Sequence, residues 1–179
     1  MNMKAHGQSF ASRGLSALIT SGISLALCLG QAGKEPKESK PTILFVCEHG
    51  AAKSVIAAAY FDKLAKQRNL NYKAAFRGVN PDAELNAAAA KGLKEDGIDI
   101  AGWKPALVAK KDVDDASRVV TLGCTLPPGI SKASKVTDWN NVPSPSQDYE
   151  YARDNIKKRV QELVDDLARE KESAEGKKR

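Results

Sequence analysis

Apolar and polar positions change rhythm several times along this chain, and each change marks an element. Residues 42–46, Thr-Ile-Leu-Phe-Val, form a short unbroken apolar run, the pattern of a strand buried on both faces. From 53 to 68 the apolar side chains fall at Val55, Ile56, Ala59, Tyr60, Leu64 and Ala65, a spacing that predicts an amphipathic helix. A weaker strand is predicted over 72–77, ended by Gly78, and a turn at Asn80-Pro81-Asp82. The alanine-rich stretch 83–96 reads as a helix closed by Gly97. Ile98-Asp99-Ile100 leads to Trp103, and a short helix is expected within 105–111. Residues 118–122 predict another buried strand and 135–137 a short last one. Over 149–169, Ile156, Val160, Leu163, Val164 and Leu167 share one face of a long terminal helix.

Strands alternating with helices imply an α/β fold: a three-layer sandwich around a central parallel sheet of about four strands. Right-handed crossovers place the strand-to-helix turns at the carboxyl edge of such a sheet, where sites form. The first of these turns is Cys47-Glu48-His49-Gly50-Ala51-Ala52-Lys53-Ser54.

The first 41 residues break the pattern. Lys4, His6 and Arg13 precede an apolar, acid-free run over 14–30, and Gly30-Gln31-Ala32 offers the small residues that a signal peptidase reads. Residues 1–32 are therefore expected to be a signal peptide and 33–41 a polar linker. A domain follows over 42–170, and 171–179 form a basic tail expected to be disordered. This predicts export to the periplasm or the medium. The alternative is an N-terminal membrane anchor giving transient membrane association, for which the run is short and diluted by Gly, Ser and Thr. Removal of the segment takes Cys28 away and leaves Cys47 and Cys124, paired or free; spacing does not decide which. The hydrophobic share of 42% suffices for a core, and the net charge of +6 comes from scattered Lys and Arg, so no nucleic-acid partner is expected.

A loop between a strand and a helix turns several N–H groups toward one point, and the helix dipole adds partial positive charge. That environment binds a tetrahedral anion and also favours a thiolate. Here Cys47 supplies the sulfur, Lys53 a cation, and Ser54 a hydroxyl within reach of the thiol. A nucleotide loop of the form G-x-x-x-x-G-K-[ST] is excluded, since Cys47 and Ala52 stand at its two glycine positions. A metal site built on Cys47, Glu48 and His49 lacks any Cys or His pair at zinc spacing.

Val46-Cys47-x5-Lys53-Ser54, with a strand before and a helix after, resembles the signature loop of low-molecular-weight protein tyrosine phosphatases, whose fold the thioredoxin-linked arsenate reductases share. The resemblance spans roughly residues 42–168 and includes Gly97 to Ile100 with Trp103, the run Val119 to Cys124, and Asp138-Trp139 with Pro143-Ser144-Pro145 behind it. It implies the phosphotyrosine phosphatase I, flavodoxin-like fold, no cofactor, and phosphate, arsenate or a phosphorylated substrate as ligand. It further implies that Cys47 is the nucleophile, that Ser54 supports it, and that Glu48, His49, Gly50, Ala51 and Ala52 cradle the oxyanion. The function so implied is hydrolysis of phosphomonoesters, phosphotyrosine among them, through a phospho-cysteine. The alternatives are a catalytically impaired oxyanion-binding module and an arsenate reductase-like or thiol redox protein using Cys47 and Cys124.

Three departures shape these expectations. The family's loop arginine is Lys53, a point charge without the planar fork. Ser144 stands where the family places an aspartate as general acid, which leaves Asp148 as the candidate acid. Cys124 falls where the reductases carry their second cysteine, but residues 125–131 hold no third. Arg77, at a strand end, is the candidate to replace part of the missing guanidinium. Trp103, Trp139, Tyr149 and Tyr151 are either cleft-lining or packing aromatics.

Overall fold

A computed structural model describes residues 39–130 and 133–177. The predicted signal peptide and most of the linker lie outside the described residues. Four parallel strands form one sheet in the order β2-β1-β3-β4: β1 (Thr42–Cys47), β2 (Lys73–Gly78), β3 (Ala116–Thr121) and β4 (Val136–Asp138). The helices are α1 (Lys53–Gln67), α2 (Ala87–Glu95), α3 (Lys110–Asp115) and α4 (Tyr149–Gly176). Among the described residues, no helix is long and apolar enough to cross a membrane.

Alternate side chains of a strand face opposite sides, and β1 uses both. Ile43, Phe45 and Cys47 join Val55, Ile56 and Phe61 of α1 and Ile156, Val160 and Val164 of α4 in the larger core. Phe45 sits between Phe61 and Trp139, with ring centroids 5.9 Å away on either side. Leu44 and Val46 face the other way, onto Val108, Val113, Val119 and Leu126 beside α3. The sheet is thus sandwiched, and burial of β1 on both faces accounts for its unbroken apolar run.

Several predicted boundaries move. The helix expected over 83–96 begins only at Ala87, because Asn86 stays extended and its side chain accepts from the Ala89 N–H as an N-cap. The helix expected within 105–111 lies at 110–115. The preceding residues pair with the end of β2 instead: Gly78 donates to the Ala106 carbonyl and Val108 to the Gly78 carbonyl, both at 2.9 Å. The terminal helix runs past Arg169 to Gly176, through much of the stretch expected to be a disordered tail. None of the four singled-out aromatics lines the cleft described below. Trp139 is buried against Phe45, Trp103 stacks on Phe76, Tyr149 bonds Asp96, and Tyr151 is exposed.

One polar cluster ties three helices together. Asp96, just beyond α2, accepts from the hydroxyls of Tyr60 on α1 (2.8 Å) and Tyr149 on α4 (2.6 Å) and from the Arg153 guanidinium (3.1 Å). Gly92 makes room for this arrangement, since a Cβ there would meet the Tyr149 ring at 2.1 Å. Burial alone would raise the Asp96 carboxyl, but hydrogen bonds from Tyr149 and Tyr60 and the Arg153 charge outweigh it and hold the group below its ordinary 3.8. A depressed carboxylate contributes stability that is complete above its unfolded value and is lost as pH falls through the folded one. The domain is therefore expected to lose this contribution below about pH 4. Asp96→Asn should lower the melting temperature at pH 7 and flatten its decline between pH 4 and pH 2, measured by circular dichroism. An unchanged acid limb in that variant would assign the acid sensitivity to other groups.

Candidate active site

β2 and β3 flank β1 on opposite sides, so the connections leaving β1 and β3 diverge and open a crevice at the carboxyl ends of these strands. Cys47 is the last residue of β1, and Leu122 and Gly123 follow β3 at the same edge. A cleft of about 310 Å3 lies there, lined by Cys47, Glu48, His49, Ala51, Ala52 and Lys53 of the first turn. Asp82 and Asn86 close one side and Leu122, Gly123 and residues 144–146 the other.

The loop is held by its carbonyls. Those of Cys47, Glu48, His49 and Ala51 accept from the N–H groups of Val79, Asn80, Asp82 and Asn86 at 2.8–3.1 Å. Among the described residues, the N–H groups of Glu48 to Ala52 donate to no backbone carbonyl. Helix α1 then starts with no side-chain cap on Ala52 and no acidic residue in its first turn. Unpaired N–H groups, a helix N-terminus and a neighbouring lysine are together suited to cradle an anion.

The loop approaches the end of β2 very closely. Gly50 adopts φ +59°, in the left-handed region. A Cβ on Gly50 would lie 2.6 Å from the Gly78 nitrogen, and one on Gly78 would lie 2.8 Å from the Gly50 nitrogen. Gly50 therefore shapes the loop from behind without lining the cleft.

Within the cleft, the Cys47 sulfur lies 3.2 Å from the Ser54 hydroxyl, and both side chains are buried. Lys53, half-buried, has no ion-pair partner among the described residues, which leaves its ammonium available to an anion. The Glu48 carboxylate accepts from the Asn80 amide at 2.5 Å. His49 Nδ1 lies 3.2 Å from the Asp82 carboxylate.

Two expected residues are placed elsewhere. Arg77 does not reach the anion cradle: its guanidinium makes a two-point pair with Asp112 of α3 at 2.9 and 3.2 Å and also donates to the Phe76 carbonyl. The strand ends near the loop, yet alternation sends this side chain toward α3. Asp148 is not a cleft acid either. It caps α4, accepting from the Tyr151 N–H at 2.9 Å, and the cleft at this point is lined by Ser144, Pro145 and Ser146.

Cys124 lies with Leu44 and Val46 on the α3 side of the sheet, whereas Cys47 lies with the α1 side. The Cys124 thiol donates to the Val46 carbonyl at 3.4 Å, and both cysteines are free thiols. Burial, followed by the nearby Cys47, pushes the Cys124 thiol up to about 11, so it stays protonated at neutral pH.

Asp82, named in the sequence only as part of a turn, and Asn86 and Ser146 were not among the candidate site residues. Asn86 caps α2, donates its N–H to the Ala51 carbonyl and its amide to the Ser146 hydroxyl (2.9 Å), so it ties the cradle to the late loop. Asn86 falls inside the stretch 83–96 that reads as helix, so the sequence pattern marks neither its cap nor what its other atoms hold.

A family model described as low molecular weight phosphotyrosine protein phosphatase matches residues 42–173. Among solved structures, arsenate reductase from Archaeoglobus fulgidus DSM 4304 is 32% identical, with a TM-score of 0.56, covering 68% of this chain and 98% of its own. YfkJ from Bacillus subtilis shares the fold at 21% identity and a TM-score of 0.66, covering 75% and 99%. The thioredoxin-dependent arsenate reductase of Corynebacterium glutamicum does so at 22% and 0.62, covering 73% of this chain and 63% of that one. No curated protein matches.

Proposed function

Since the chain belongs to the low-molecular-weight phosphotyrosine protein phosphatase family, we propose that it hydrolyses phosphomonoesters through a phospho-cysteine on Cys47, more slowly than an arginine-bearing site would. The observation that carries this reading is the buried Cys47–Ser54 pair, 3.2 Å apart, at the base of a loop whose Cys47, Glu48, His49 and Ala51 carbonyls are bonded to residues 79–86. A phosphoryl group seated there meets the sulfur in line, the loop N–H groups at its equatorial oxygens, and Lys53 as counter-charge. Phosphate and arsenate share the shape and charge that such a cradle selects, and one neighbour at 25% identity is an arsenate reductase in a phosphate-binding state. A second reading, an oxyanion-binding module with little turnover, is favoured by Lys53 and Ser144 in place of the fork and the acid.

The test is to expose the full chain to an aryl phosphate, quench in acid, and look by mass spectrometry for a phosphoryl group on Cys47. Phospho-Cys47 together with release of the phenol supports the hydrolase. Phosphate binding with neither product supports the binding module. Lys53→Arg restores the two-point grip and is expected to raise kcat/KM by roughly tenfold, the equivalent of one charge-assisted hydrogen bond. A fall in rate would show that the loop has been reshaped around lysine.

A further inference from the structure

A phosphomonoesterase of this kind needs a proton for the departing oxygen, and the late loop offers only Ser144 and Ser146, hydroxyls too weakly acidic to give one up. Asp148 is committed to capping α4. The titratable groups that do line the cleft are Cys47, Glu48, His49, Lys53 and Asp82. Cys47 is the nucleophile in the reading above, Lys53 the counter-charge there, and the Glu48 carboxylate is taken by the Asn80 amide. His49 and Asp82 remain, and they form a pair at 3.2 Å through Nδ1.

We propose that His49, oriented by Asp82, is the general acid and base of this site, in place of the absent late-loop aspartate. This rests on the phospho-cysteine reading. A carboxylate facing Nδ1 keeps a proton on that nitrogen and leaves Nε2 to give and take the exchangeable one. In the first step the Cys47 thiolate bonds to phosphorus while the P–O bond to the leaving group breaks. The imidazolium Nε2 proton passes to that oxygen, which departs as the neutral alcohol or phenol. In the second step water attacks phosphorus, neutral His49 takes its proton, and the S–P bond breaks to return the thiolate and phosphate. Asp82 is a positioning residue in this scheme, since it acts through the ring.

The two side chains are 63% and 52% exposed, so substitution leaves the core untouched, which thermal unfolding of each variant checks. The readout is leaving-group dependence in the full chain. His49→Asn is expected to lower kcat/KM, which reports the first step alone, on phenyl phosphate by roughly 10²-fold or more, with a distinctly smaller loss on nitrophenyl phosphate, whose leaving anion needs no proton. It should also accumulate phospho-Cys47, seen as a burst of nitrophenol, because the second step loses its base. Asp82→Ala should shift kcat/KM in the same pattern by a smaller factor, and Asp82→Asn, which keeps an oxygen for Nδ1–H, should recover part of it. Equal losses on both substrates, or none, overturn the assignment of His49. A leaving-group dependence unaltered in Asp82→Ala overturns that of Asp82. If the unsubstituted chain forms no phospho-Cys47, the reading of Cys47 fails and this inference with it; if it does, a failure in the variants falls on the His49–Asp82 pair alone.

Discussion

Serine at position 47 is expected to slow aryl phosphate hydrolysis by roughly 10⁴-fold or more while phosphate still binds. The sulfur is the attacking atom in the proposed chemistry, and a hydroxyl in its place has no strong base within the 3.2 Å contact that Ser54 provides. The cradle is built from main-chain N–H groups whose geometry is fixed by carbonyl bonds to residues 79–86, so it survives the exchange. The substitution also conserves shape and shrinks the side chain by little, which keeps the fold. Initial rates and a phosphate titration by calorimetry check both halves. Hydrolysis that persists in Cys47→Ser would remove Cys47 from the chemistry; loss of phosphate binding would show that the sulfur itself holds the cradle together.

Gly78→Ala should damage the loop region through a single methyl group, by collision alone and without the left-handed φ that Gly50 adds. The new Cβ would sit 2.8 Å from both the Gly50 nitrogen and the His49 carbonyl carbon, and 3.0 Å from the Pro81 Cα. All three are backbone atoms, so no side chain can swing away to relieve the contact. The expected cost is about 1–3 kcal/mol, a large part of the roughly 5–15 kcal/mol that holds an ordinary domain together. A drop in Tm of roughly 5–10 °C follows, with weaker phosphate binding as residues 48–52 are pushed aside. Gly97→Ala is the control. It carries φ +70°, yet its Cβ meets nothing within 4 Å, so it isolates backbone strain of about 1 kcal/mol from a steric collision. An undiminished Tm in Gly78→Ala would show that the close approach of loop and strand contributes nothing of its own.

Gly78 illustrates how far the sequence could be read. It stood out as the end of a strand, which it is, but nothing local reveals that another glycine presses against it from 28 residues away (78 against 50). Arg77 shows the same limit from the other side. Its position beside the loop was legible, whereas its partner Asp112, on α3, was not, and a two-point ion pair decides where a guanidinium points. Asp148 was close enough in sequence to serve as an acid, but the start of α4 needed a cap and took its carboxylate.

What the sequence determined by itself is the part set by local rhythm. The apolar run of β1, the helical spacing of α1 and α4, and the Cys47–Ser54 turn between strand and helix follow from side-chain periodicity and backbone chemistry a few residues apart. The pairing of Cys47 with Ser54 belongs here too, since both lie within one turn of the chain. Only the tertiary structure decided which charges stand free at the cleft and which are spent elsewhere. Among the described residues Lys53 was left without an ion pair, Arg77 and Asp148 were withdrawn, and His49 was brought to Asp82. A charged side chain goes to the partner that best offsets its desolvation, and that partner is chosen by how distant segments pack rather than by neighbours along the chain.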